Sequence, residues 1–358
     1  MFNLLGISVY LGKLNHSSQG DYIKDMSCAG FRSIFTSLHI PEDVSEQDKV
    51  LLEALGEQAR ENEMELMADI SPATLKNLGY TYEKIPEIRS LGVTGLRMDY
   101  GIPPKVMAEL SRKMKISLNA STINQALLIE LEEHNIDLSQ TEAWHNFYPR
   151  PETGLDRERF IQRNIWLKER GFTVMAFIPG DKDLRGPLFQ GLPTLEDHRH
   201  ISPFHAALDL QNNCHIDKVL IGDLSVNNET LSQFSSYQKG FIPIRYKKNQ
   251  TDEATNRTLQ AEHRNRWDQA RDVIRSETSR GMAQVTGNTF ENVNTVARSK
   301  GCITIDNNKY GRYQGELQIA LKDLEQDEKV NVVGKVIDED VPLLPFINGG
   351  TNFRLIEI

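Results

Sequence analysis

Two aspartates, Asp69 and Asp99, each close a short apolar run, LMADI and GLRMD, with one amphipathic stretch between the runs. Carboxylates brought close together can divide two roles, one held protonated as an acid and one left ionised. Glu152, in the stretch WHNFYPRPETGLD, is a third carboxylate that could reach the same space, or a solvated loop residue. Arg97 stands two residues before Asp99. Side chains i and i+2 of a strand point the same way, so Arg97 is expected to keep Asp99 ionised. A structural ion pair is the alternative. Arg150 and Arg185 lie in long segments rich in Gly and Pro, where a guanidinium suits bidentate phosphate or carboxylate. His198, His200 and His205 are close in sequence, but no HxH or HExxH ends an apolar run, so no metal is expected. No cofactor motif is evident, and GxGxxG does not follow the first run.

These residues need a frame that gathers the ends of apolar runs. Eight strand candidates alternate with amphipathic stretches as far as residue 240: Leu4–Tyr10, Arg32–Leu38, Glu65–Ile70, Gly95–Asp99, Lys115–Asn119, Thr141–Asn146, Thr173–Ile178 and Lys218–Gly222. That alternation predicts a parallel sheet with crossover helices, and eight units favour a closed (β/α)8 TIM-type barrel. Its chemistry belongs at the C-terminal ends of the strands. Nearly every end carries a polar group: Tyr10, Ser37 and His39, Asp69, Arg97 with Asp99, Asn119, His145 with Asn146, and Asp223. Each could instead cap the following helix, Asp223 above all.

The pattern changes near Gly240. Apolar pieces at Phe241–Tyr246, Cys302–Ile305, Glu316–Ala320, Lys329–Ile337 and Phe353–Ile358, with Gly and Asn turns, predict a small β-barrel. Residues 1–239 are therefore expected to form the barrel domain and 240–358 a β-rich domain; the polar stretch Lys247–Arg271 contributes no strand to this reading.

Composition narrows the possible partners. A net charge of −9 leaves no basic surplus for nucleic acid, while a few arginines in one cleft could still take a small anion. The three cysteines, Cys28, Cys214 and Cys302, are dispersed and suit a reducing compartment. With no basic n-region before MFNLLGISVYLG and no long apolar run, the expected location is the cytoplasm, away from the membrane. Oligomeric state is not readable from the sequence.

GISVYLG, IFTSLHIPE, LMADISP, GLRMDYG, LNAST, WHNFYPRPETGLD and GPLFQGLPTLEDHR, with ARSKG and GRYQGELQIAL near the C-terminus, resemble one bacterial family. It is that of the MupG-like 6-phospho-N-acetylmuramidases, and the likeness runs the length of the chain. The resemblance implies a TIM barrel followed by a cyclophilin-like β-barrel domain. It also implies cleavage of the β-1,4 bond after 6-phospho-N-acetylmuramic acid in disaccharides from peptidoglycan turnover and recycling. The substrate would be a phosphorylated amino-sugar disaccharide with N-acetylglucosamine as the leaving sugar. Asp69, Asp99 and Glu152 are the candidate catalytic carboxylates; neighbouring aspartates suit nucleophilic attack by the substrate's own acetamido group. A split between Asp99 and Glu152 suits an inverting or protein-nucleophile route. Arg150 and Arg185 are first choices for the phosphate and lactyl carboxylate, and Arg298 with Lys300 a second set should the C-terminal domain close over the mouth. His39, Asn119, His145 and Asn146 are candidates for hydroxyl and acetamido contacts. Two other functions fit the same residues: a phosphosugar-binding protein without turnover, and a phosphosugar lyase or isomerase on the same barrel.

Overall fold

The computed structural model describes residues 4–13, 16–37, 46–72, 79–98, 100–249, 251–287 and 289–358. His39 and Asp99 lie outside the described residues. The chain divides into two compact units, Met1–Phe234 and Ser235–Ile358.

The first unit is a closed barrel of eight parallel strands in sequential order: β1 Leu4–Ser8, β2 Ser33–Ser37, β3 Glu65–Ile70, β4 Gly95–Met98, β5 Lys115–Asn119, β6 Thr141–Trp144, β7 Thr173–Ile178 and β8 Lys218–Ile221. Helices α1 His16–Cys28, α2 Glu46–Glu61, α3 Pro104–Ser111, α4 Gln125–Glu133, α5 Arg157–Lys168, α6 Pro203–Asn213 and α7 Asn228–Gln238 follow strands in the crossover pattern. The TIM-type barrel expected from the alternation is therefore present. Helices start where a side chain can take an orphan amide. Asn124 accepts from the Leu127 N–H at 2.9 Å, Asp156 from Arg159 at 3.1 Å and Ser202 from His205 at 3.3 Å. These caps lie in the loops, so for α4, α5 and α6 the polar residues at the strand ends are left for other work.

Alternation along the strands sorts the interior into three layers. On β3, Glu65, Met67 and Asp69 share the inward face; on β6 and its continuation, Glu142, Trp144 and Asn146 do. At the strand starts, Lys218, with no exposure, meets Glu65 at 2.9 Å and Glu142 at 3.4 Å. Lys115 bonds Glu65 and lies 3.4 Å from Glu142, whose other oxygen accepts from the Trp144 indole at 2.6 Å. Burial works against the Glu65 carboxylate, yet the two lysines hold it below the usual range. Above this charged floor sits an apolar layer of Phe35, Met67, Trp144, Met175, Phe177 and Leu220. The opposite faces, Ile34, Leu66, Leu96, Ile116, Val174 and Ile221 among them, are buried beneath the helices.

The second unit is a seven-stranded sheet curled into a half-barrel. It contains β9 Phe241–Lys248, β10 Glu262–Arg264, β11 Val273–Arg275, β12 Cys302–Asp306, β13 Leu317–Ala320, β14 Val330–Val336 and β15 Asn352–Glu357. The order is β10-β15-β9-β14-β12-β13-β11. Its outer strands approach at the Asn265–Ser276 bridge, where Glu277 N–H donates to the Arg264 carbonyl at 2.8 Å. The polar stretch read as strandless holds helix α8 Glu253–Leu259, capped by Asp252 on Thr255 N–H at 2.7 Å, and β10. Only Thr255, Thr258 and Leu259 of that helix are buried, too few for a clear period. Helix α9, Ser279–Thr286, follows β11. Arg298 sits in this unit, its backbone bridged to Leu324 and its Nε donating to the Glu325 carbonyl at 2.9 Å; Lys300 N–H donates to Asp323 at 2.8 Å.

Candidate active site

At the C-terminal ends of the barrel strands a cavity of about 350 Å³ is lined by Phe35, Ser37, Asp69, Arg97, Asn146, Phe147, Tyr148, Phe177 and Arg185. Strand register brings its charged centre together. Asp69 of β3 is the cross-strand partner of Arg97 of β4, and the guanidinium Nη1 lies 2.9 Å from the carboxylate. Both residues are buried. The other arm of Arg97 donates to the Asn146 side-chain carbonyl. An Asp carboxylate facing a guanidinium is an acceptor only, while Asn146 has its amide nitrogen to offer.

Asn146 is held in turn by Thr194, whose hydroxyl donates to the Asn146 carbonyl at 2.8 Å and accepts from the Phe177 N–H at 2.9 Å. The aromatic walls continue the apolar layer: Phe35 and Phe147 each meet Phe177 edge-on, at 5.5 and 5.1 Å between ring centroids. A sugar ring presents apolar C–H faces and polar rims, and such a mixture of aromatic walls with a few convergent polar groups suits it.

Arg185 closes one side. Its guanidinium lies 4.0 Å from the centroid of the Tyr10 ring and 5.6 Å from that of Phe147. Tyr10 donates its hydroxyl to the Gly222 carbonyl at 2.7 Å, and burial, only partly offset by Arg185, pushes its phenol up to about 12. The loop bearing Arg185 is anchored by Asp223, which accepts N–H bonds from Gly180 at 2.8 Å, Arg185 at 2.9 Å and Leu192 at 2.9 Å. Asp223, expected as a helix cap, instead binds three amides of the preceding loop. The approach requires Gly222, where a Cβ would stand 2.5 Å from the Leu192 carbonyl.

A second anchor escaped the sequence reading. Buried Arg199 donates to Glu196 through Nε at 2.6 Å and Nη2 at 2.7 Å. It also donates to the carbonyls of Tyr148 at 3.0 Å and Gly191 at 3.2 Å, joining the loop after β6 to the loop after β7. Glu196 takes the Glu152 and Gly154 N–H groups at 2.8 and 2.7 Å. Its hydrogen bonds with Arg199 hold the carboxyl down to about 2. Gly154 is needed because a Cβ there would lie 2.4 Å from a Glu196 oxygen.

The remaining sequence candidates fall elsewhere. Glu152 is exposed on the loop after β6, in a left-handed backbone (φ 71°), and Arg150 is exposed two residues before it; neither lines the cavity. Asn119 ends β5 with its side chain accepting the Ser121 N–H at 3.0 Å. His145 points to the outside of the barrel wall, its Nε2 2.7 Å from Asn164 Oδ1 and its ring 4.7 Å from that of Phe160 on α5. Burial pushes its imidazole down to about 4. His198 is buried against Asp209 at 2.7 Å. Among the described residues, no group of three or more His, Cys, Asp or Glu is placed to hold a metal ion, and no helix is long and apolar enough to cross a membrane.

Comparison with known proteins adds to this geometry. A conserved protein of unknown function from Enterococcus faecalis is 44% identical, covering 99% of this chain and 96% of its own, with a TM-score of 0.88. An uncharacterized B. cereus protein is 29% identical over 100% of both chains, with a TM-score of 0.79. No functionally curated protein matches the chain. Residues 5–236 match the N-terminal model, and residues 242–356 the C-terminal model, of the 6-phospho-N-acetylmuramidases, a family named for a glycoside hydrolase. With nearly its whole length covered by the two models, the chain belongs to the 6-phospho-N-acetylmuramidase family.

Proposed function

We propose that the protein hydrolyses the β-1,4 bond between 6-phospho-N-acetylmuramic acid and N-acetylglucosamine, in the cytoplasm, as a step of peptidoglycan recycling. The observation that carries this reading is the buried Asp69 carboxylate, held by Arg97 at the centre of an aromatic-walled cavity with a second guanidinium, Arg185, at its side. Cleavage develops positive charge at the anomeric carbon, and an ionised carboxylate stabilises it. Asp69 supplies that charge or orients the 2-acetamido group, whose carbonyl then attacks. Asp99, next after β4, and Glu152 are the candidates for the acid that protonates the leaving oxygen. Arg185 takes the phosphate or the lactyl carboxylate, Asn146 a hydroxyl or the acetamido group, and Arg150, exposed on the loop after β6, is a further candidate for the anion.

Incubation with the phosphorylated disaccharide beside its unphosphorylated form, with products read by mass spectrometry, tests the reading. Release of two intact sugars from the phosphorylated form alone is expected. A product lacking the lactyl ether or carrying a new double bond would mean a lyase. No turnover of either would favour a phosphosugar-binding role.

A further inference from the structure

Building on the glycosidase reading above, we propose that Phe189 is the platform on which the leaving sugar stacks. The cavity, about 350 Å³, is near the lower end of ligand pockets, which run from about 300 to 1,000 Å³. It suits one substituted sugar ring, so the second ring of a disaccharide lies at the rim. The turn 185–189 begins with Arg185, which lines the cavity. Phe189 N–H donates to the Arg185 carbonyl at 3.3 Å, and the tip of the Phe189 ring meets Gly186, where a Cβ would stand 3.0 Å from Cζ. The ring is nonetheless 60% exposed, with Leu188 45% exposed beside it.

An exposed phenylalanine alone means little. This one is held in the left-handed region (φ 51°), where a bulky side chain is disfavoured. The backbone on either side is fixed: Asp223 accepts from the Arg185 and Leu192 amides, and Arg199 donates to the Gln190 carbonyl at 3.3 Å. The aromatic face is thus presented one turn from the charged wall by a preorganised segment. A pyranose offers it the apolar C–H face that a phosphate or carboxylate lacks, which places the leaving ring, and not the anionic groups, on Phe189.

The test compares the wild type, Phe189→Ala and Phe189→Tyr on two substrates: the phosphorylated disaccharide, and the β-glycosyl fluoride of 6-phospho-N-acetylmuramic acid, which has no leaving ring. For Phe189→Ala, kcat/KM on the disaccharide is expected to fall about tenfold while the fluoride changes by less than about twofold, and tyrosine restores the disaccharide rate. Equal losses on both substrates would mean that the substitution has displaced Arg185, and no loss on either would remove the platform; both overturn the proposal. Wild-type protein that cleaves neither substrate overturns the glycosidase reading itself, a result distinct from both.

Discussion

Arg97 and Asp69 meet at 2.9 Å across adjacent strands, both buried at the floor of the cavity. Such a pair has little to spare: a buried charge that loses its partner keeps its desolvation cost and loses the compensating attraction. Arg97→Met is expected to destabilise the protein by about 3–5 kcal/mol. Asp69→Asn keeps the shape, removes the charge, and is expected to lower kcat by about a hundredfold or more while the protein still folds. Denaturant midpoints and steady-state rates check both, and Asp69→Asn retaining more than half the activity would sink the assignment.

Arg185 is a recognition group in this reading, so its removal should appear in KM. Arg185→Met is expected to raise KM for the phosphorylated substrate by about ten- to a hundredfold, with a smaller effect on kcat. A loss confined to kcat would instead place Arg185 at the reacting atoms.

Arg199 joins two loops, so loosening it should be felt in both. Arg199→Met is expected to speed amide exchange in residues 148–155 and 190–194 together and to lower kcat/KM by about tenfold through misplacement of the walls. Hydrogen exchange followed by mass spectrometry separates the two segments. Faster exchange in one alone would show that Arg199 does not couple them.

The barrel and much of its mouth were legible because strand alternation fixes which residues share a face. Glu65, Met67 and Asp69 need only the period of two. What the period cannot supply is register between strands. The i, i+2 spacing pairs Arg97 with Asp99, which lies outside the described residues; it gives no hint of the cross-strand pairing of Arg97 with Asp69. His145 shows the opposite limit: it adjoins Asn146 in sequence, but a single step along β6 sends it to the helix side. The loop-anchoring roles of Asp223 and Arg199 stayed hidden because the loop groups they hold are backbone amides and carbonyls, which leave no residue-type signal. The charged floor went unread for the same reason as Arg97: Lys115, Lys218, Glu65 and Glu142 converge only when the barrel closes.

That floor lies at the opposite end of the strands from the cavity, so stability and activity should separate there. Lys218→Met leaves Glu65 and Glu142 with Lys115 alone and is expected to cost about 3–5 kcal/mol. The KM of the folded variant should match the wild type at temperatures well below its Tm. A changed KM with unchanged stability would contradict the layered interior.

Asp306 offers a pH test in the second unit. It is 4% exposed, and burial, then Glu316 and Asp327, push its carboxyl up to about 7. The unfolded chain releases this proton near 4, so between pH 4 and 7 the native state binds more protons and stability falls as pH rises. Above pH 7 the full penalty remains, of order 4 kcal/mol. His263 works in the other direction within the same unit: burial lowers its imidazole to about 4, so its contribution to stability rises with pH from 4 to 6.5. Comparing Asp306→Asn with the wild type cancels the histidine. The gain in denaturation midpoint should be small at pH 4, grow toward pH 7 and level off by pH 8. A gain that stays flat would show that Asp306 titrates alike in the folded and unfolded chain, and one that shrinks with rising pH that its charge is compensated inside the half-barrel; either contradicts a raised carboxyl.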